Sequence, residues 1–143
     1  MSLLLLPEAL AVALLAAAPG ALNPNVTQGN IGSTVCVAGW TATVRPPSSY
    51  TTRLKIRQMS TLNLPGLPRR YEEDHLVPLA LGGHPTSLDN LRPQRWVGRW
   101  GAHKKDRLES YLHKMVCKDK ITLVEAQTAI RTDWVAAYKR YLP

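Results

Sequence analysis

Residues Tyr71 to Gln94 read YEEDHLVPLALGGHPTSLDNLRPQ, and this stretch restricts the fold more than any other. From Asp74 the side chains alternate. His75, Val77, Leu79 and Leu81 fall to one side and Asp74, Leu76, Pro78 and Ala80 to the other, which predicts a strand. Pro78 offers no backbone donor, so this strand lies at an edge or close to its end. The run GGHPTSLDN has turn composition, and NLRPQ can return antiparallel beside the first strand. A helix follows from about Gly101 through AHKKDRLESYLHKMVC, with Leu108, Leu112, Met115 and Val116 as its apolar side. Strand, loop, strand and helix in that order predict an α+β fold.

Other elements flank this core. TLVEAQTAIRTDWVAAYKRYL opens with Thr122 and carries Glu125 three residues on, the reciprocal cap of a helix start. Leu123, Ala126, Ala129 or Ile130, Trp134, Ala137 or Tyr138 and Tyr141 recur at helical spacing, so the aromatic stripe of Trp134 and Tyr138 is expected in the core. YTTRLKIRQMSTL predicts a further helix capped by Ser48 or Ser49, with Leu54, Met59 and Leu62 as its stripe, stopped by NLPGLPRR. Upstream, Asn23 to Tyr50 mixes β-branched residues with Asn, Gly and Pro, which suggests short extended segments and turns.

Residues 1–21 are rich in Leu and Ala, carry Glu8 as their one charge and end in small residues, as an export signal does. Residues 22–143 then form a single domain, and cleavage near Gly20 or Ala21 leaves it more basic than the full chain's +8. That charge favours polyanions. In an exported chain the two cysteines, Cys36 and Cys117, are expected to pair as a disulfide. Closing a loop of about eighty residues is worth about 4 kcal/mol on the chain-entropy view.

Asp74-His75, Gly82-Gly83, Asn90-Leu91 and a downstream helical His-Lys together resemble the HNH family of ββα-metal endonucleases. The motif covers Asp74 to Asp106. More narrowly, NPNVTQ, VCVAGWTATVRPP, EEDHLVPLALGG and KDRLE resemble segments of small exported bacterial HNH-like proteins, a similarity running from Asn23 to the C-terminus. The resemblance implies a ββα-metal core and a metal-dependent endonuclease that cuts phosphodiester bonds. It implies His75 as general base, Asp74 as metal ligand, and Asn90 as the residue that fixes the loop and orients His75. The second ligand is His103 or, in the K-D-x-x-E pattern of Lys105, Asp106 and Glu109, Asp106.

Phosphodiester cleavage needs an activated water, a cation on the phosphoryl oxygens and help for the leaving alkoxide, and an imidazole titrating near neutral pH suits the first. One divalent cation is expected: magnesium or manganese for oxygen ligands, zinc or nickel if a histidine joins. Neighbours in a regular strand face opposite sides, so Asp74 and His75 can serve one phosphate only where the strand bends or ends. Glu72 is expected to pair with Arg69 or Arg70, Glu73 is left open, His84 is a loop residue and His113 a surface one. Arg92, Arg95, Arg99, Lys104 and Lys105, interleaved with Trp96 and Trp100, form a candidate nucleic-acid face. No base-reading array is visible, so the expected partner is double-stranded DNA bound with little sequence preference, by a monomer outside the cytoplasm. The competing expectations are a basic binding protein on the same fold, holding nucleic acid or an anionic wall polymer without turnover, and a wall-active or toxin-like factor.

Overall fold

Two short strands, β1 (Tyr71–His75) and β2 (Leu91–Arg95), pair antiparallel with Tyr71 opposite Arg95 and His75 opposite Leu91, in a computed structural model that describes residues 19–143. Four helices surround this hairpin: α1 (Trp40–Val44), α2 (Ser48–Thr61), α3 (Ala102–Cys117) and α4 (Leu123–Tyr141). The fold is therefore α+β, with strand, loop, strand and helix in the expected order. Helix α2 lies against the hairpin, and α3 packs on α4.

The apolar faces of α3 and α4 meet where the spacing predicts. Leu108, Leu112 and Val116 from α3 bury against Leu123, Ala126, Ile130, Ala137 and Tyr138 from α4, with Val77 and Leu81 of the hairpin loop and Val26 and Val35 in the same cluster. Each fully buried leucine contributes about 1.5–3 kcal/mol over its exposed state. Trp134 packs half-buried against this core, edge-on to Trp100 at 5.7 Å. At the start of α4, Thr122 Oγ1 accepts from Glu125 N–H at 3.1 Å and Glu125 Oε2 from Thr122 N–H at 2.7 Å. The helix is broken once, at Asp133 (φ −160°, ψ 93°), whose carboxylate accepts from Ala136 N–H at 2.9 Å and caps the second half.

Cys36 and Cys117 are joined, tying the segment before α1 to the last residue of α3 across a sequence separation of 81. The disulfide suits an oxidising compartment. Among the described residues no helix is long and apolar enough to cross a membrane. The expected export signal falls almost wholly outside the described residues. Gly20 and Ala21 are inside them: Gly20 N–H donates to the Asp89 carbonyl at 2.6 Å, and the Ala21 carbonyl accepts from His84 N–H at 2.8 Å.

Three expectations are corrected. The segment before α2 is not extended: Gln28–Ser33 forms a 3-10 helix and Trp40–Val44 a short α-helix. In the first of these Asn30 curls the chain, its amide accepting from Thr27 N–H at 2.8 Å and donating to the Asn25 carbonyl at 2.9 Å. Leu62 lies just beyond α2, 51% exposed, and only Leu54 and Met59 of that stripe are buried. The first strand stops at His75 instead of reaching Leu81, and Leu79–Leu81 is a 3-10 turn.

Candidate active site

The early end of β1 has a specific cause. Past His75, the Leu76 N–H still reaches the Asn90 carbonyl at 2.8 Å, but the next contacts are made by the Asn90 side chain. Its Oδ1 accepts from Val77 N–H at 2.9 Å, and its Nδ2 donates to the carbonyls of Val77 at 3.0 Å and His84 at 2.9 Å. A fully buried amide thus replaces the ladder with a closed loop. Gly83 is required there, because a Cβ would overlap the Val77 carbonyl. Asp74 and His75 are the last two residues of β1, and both line one cleft.

That cleft encloses about 170 Å³ between β1, α3 and α1. Glu72, Asp74 and His75 come from β1, Asp106 and Glu109 from α3, and Thr41 with Arg45 from the end of α1. His75 Nε2 lies 2.9 Å from the Pro85 carbonyl. A carbonyl only accepts, so this network assigns the proton to Nε2 and leaves Nδ1 with its lone pair. Burial of the ring holds its pKa below the ordinary imidazole value, against the opposing pull of the Pro85 carbonyl and Asp74. The base form is the one present at neutral pH.

Lys105 organises the acids. Its ammonium lies 2.7 Å from Asp74 Oδ2, 2.8 Å from Glu109 Oε1 and 2.8 Å from the His75 carbonyl, which it donates to. Burial disfavours the charge, but Asp74 and Glu109 outweigh it and hold the ammonium above the ordinary lysine range. Lys105 and Arg45 face four acids in the cleft, Glu72, Asp74, Asp106 and Glu109. Burial, then Asp74, Asp106 and Glu109, push Glu72 up to about 7. Glu109 is also raised to about 7, by burial and by Asp74 and Asp106 against the pull of Lys105. Asp106 is raised by burial and by Asp74.

The structure brings Asp74, His75 and Asp106 to one cleft. Asn90 stands behind them in the loop. His103 is exposed, does not line the cleft, and stacks on Trp96 with ring centroids 5.3 Å apart. Lys105, grouped in the sequence with the surface bases, is 2% exposed and committed to Asp74 and Glu109, so its place on a nucleic-acid face is corrected. The remaining bases are at the surface. Arg92 donates to the Leu88 and Leu91 carbonyls, Arg95 lies over Tyr71, and Arg99 and Lys104 lie over Trp100.

Glu72 faces the cleft and makes no ion pair with Arg69 or Arg70. Its membership was legible from the two-residue period shared with Asp74, and that of Glu109 from the four-residue helical step after Lys105. His84 shapes the loop, its Nδ1 accepting from the Thr86 and Ser87 N–H groups. His113 is half-buried with Nε2 2.7 Å from the Val35 carbonyl, which corrects its assignment to the surface.

A second donor set lies at the disulfide. Cys36, His113 and Cys117 place two sulfurs and a ring nitrogen within 4.8 Å of one another, a group that could hold a metal ion. The sulfurs are joined here, so they become ligands only on reduction to thiolates. Among the described residues no trio of cleft donors is as tightly gathered. Comparisons with protein families, with curated proteins and with solved structures found no match to this chain.

Proposed function

We propose that the protein is an exported, monomeric, metal-dependent endonuclease on a ββα-metal core of the HNH type, hydrolysing DNA phosphodiester bonds with little sequence preference. The observation that carries this reading is the 2.9 Å contact of His75 Nε2 with the Pro85 carbonyl, which as an acceptor assigns the proton to Nε2 and leaves Nδ1 as the free base of a residue that shares a cleft with Asp74 and Asp106. His75 takes a proton from the attacking water at Nδ1. The Pro85 carbonyl keeps the ring oriented and stabilises the imidazolium that forms. Asn90 holds the loop that carries Pro85, and so acts through position. Arg45, at the cleft wall, is the cation available to a phosphoryl oxygen.

The donor chemistry fits a hard divalent cation, because Glu72, Asp74 and Asp106 bring three carboxylates to one cleft, where burial and the neighbouring acids raise Glu72 to about 7. Asp74, Asp106 and Glu72 would hold it, and oxygen ligands favour magnesium or manganese over zinc or nickel. When bound, such an ion supplies charge neutralisation at the phosphoryl and leaving oxygens. Arg92, Arg95, Arg99 and Lys104 contribute backbone affinity that weakens with salt.

Binding without turnover is the second reading, and one observation favours it: Lys105 already occupies Asp74 Oδ2 as a resident cation. Plasmid DNA incubated with the oxidised protein and each metal, with chelator and His75→Ala as controls, separates the two. Cleavage lost in both controls supports the nuclease. Salt-sensitive binding with no cleavage under any metal ends that reading in favour of the second.

A further inference from the structure

At the end of the hairpin away from His75, a concavity of about 310 Å³ is lined by Arg69, Arg70, Arg95, Trp96 and Val97. Arg69 and Arg70 lie in the 3-10 turn Pro68–Arg70 that leads into β1, while Arg95 ends β2. Trp96 N–H donates to the Arg70 carbonyl at 3.1 Å, which fixes the two walls relative to each other. The Arg95 guanidinium is held 5.3 Å above the centroid of Tyr71, its partner across the strands. All three arginines are exposed, and none has a carboxylate partner among the described residues.

Three like charges gathered around one hollow repel one another, and a bound anion relieves that repulsion. Guanidinium forks match the paired oxygens of a phosphate better than they match halide or water. The same hollow has an aromatic wall. Trp96 is half-buried, stacked on His103 at a tilt of 31°, and beside it Val97 is 72% exposed. A flat apolar wall next to phosphate donors suits a nucleotide whose base is free to stack, which a base inside a duplex is not.

We propose that this concavity is a subsite for single-stranded nucleic acid, with Arg69, Arg70 and Arg95 on the phosphates and a base against Trp96. The inference rests on the reading of the His75 cleft as one that receives nucleic acid, and it adds where the strand goes beyond the cut. Five residues of β1 separate the two places by about 14 Å. A short oligonucleotide spans that distance. The subsite therefore selects substrates that carry an unpaired segment next to the scissile bond.

The test uses the full chain with His75→Ala, so that binding is read without cleavage, and fluorescein-labelled single-stranded and blunt duplex DNA of one sequence. Arg69→Gln with Arg70→Gln, both at exposed positions, is expected to weaken single-strand binding about tenfold and to lower the salt slope by about 0.7 for each phosphate left without its arginine. Trp96→Phe is expected to remove a binding-induced quench of tryptophan fluorescence, and Trp96→Leu to weaken single-strand binding about tenfold. Unchanged affinity in the arginine pair, with an unchanged melting temperature, overturns the subsite. Equal affinity for duplex and single strand, with Trp96 silent, also overturns it. Cleavage of a gapped duplex by the arginine pair on an intact His75 background keeps the two readings apart. Cleavage with unaltered oligonucleotide affinity sinks the subsite alone, whereas affinity lost in the pair with no cleavage by the parent protein sinks the nuclease alone.

Discussion

The ammonium of Lys105 lies 2.7 Å from the Asp74 carboxylate, buried where α3 meets the end of β1. The same ammonium donates to the carbonyl of His75, the residue next to Asp74. A helix and a strand are thus joined through one charge at two of the residues that line the cleft. Removing the charge leaves Asp74 and Glu109 as neighbouring carboxylates without a counterion, in a site that already disfavours ionised acids.

Lys105→Met is therefore expected to destabilise the fold by about 3–5 kcal/mol, as breaking a buried pair from one side does. Urea denaturation measures the loss. Neutralising the orphaned partners as well, in Lys105→Met with Asp74→Asn and Glu109→Gln, is expected to recover much of it. A triple variant no more stable than the single one would show that the ammonium acts through its carbonyl contact instead.

The burial of Lys105 also marks where sequence reading stops. In HKKDRLE a lysine among bases reads as solvated, because only the folded position of Asp74 reveals that one of the three faces inward. The hairpin and α3 were legible from alternation, the double glycine and the apolar helical step, and the start of α4 from Thr122 and Glu125. The end of β1 was not, since Val77, Leu79 and Leu81 continue the alternation and only the Asn90 amide, thirteen residues after Val77 in sequence, breaks the ladder. Asp74, His75 and Asp106 were nameable in advance. Their convergence with Glu72 and Glu109 depended on that break and on how α3 packs.

Asn90→Ala is expected to cost about 3 kcal/mol, because it strands the buried Val77 N–H and two carbonyls. Asn90→Asp keeps the acceptor and loses both donated bonds, so it should be destabilising as well. Gly83→Ala, which drives a methyl into the Val77 carbonyl, is expected to lower the melting temperature sharply, while Gly32→Ala, with open space around it, serves as the neutral control. Equal melting temperatures for the two glycine variants would mean that the loop is not closed as described.

Glu73 makes stability depend on pH. Both its carboxylate oxygens are buried without a hydrogen-bond partner, and burial, against the pull of Lys55 and Arg92, raises its pKa from 4.5 to about 7. Between those two values the folded state binds the proton more tightly than the unfolded chain does. Stability therefore falls as pH rises from 4.5 to 7 and stays low above that. Glu73→Gln is expected to melt higher than the parent at pH 8, with a flatter melting temperature across this range. A parent more stable than the variant at pH 8 would place an unseen partner on the carboxylate.

Reduction of the Cys36–Cys117 bond tests two consequences of one geometry. The closed loop separates its ends by 81 residues, so Cys36→Ser with Cys117→Ser is expected to lose about 4 kcal/mol. In the reduced native chain the two thiolates take a tetrahedral cation together with His113 Nε2 only once that nitrogen gives up its proton and its 2.7 Å hydrogen bond to the Val35 carbonyl, with a fourth position left to water. Cobalt added after phosphine reduction is expected to give a thiolate charge-transfer band that is absent from the oxidised protein and weaker in His113→Ala. The oxidised protein has no thiolate to offer, so any band there would come from incomplete pairing. A reduced protein that stays folded and shows no band would limit Cys36 and Cys117 to their covalent role, leaving His113 as the side chain that anchors the Val35 carbonyl to α3.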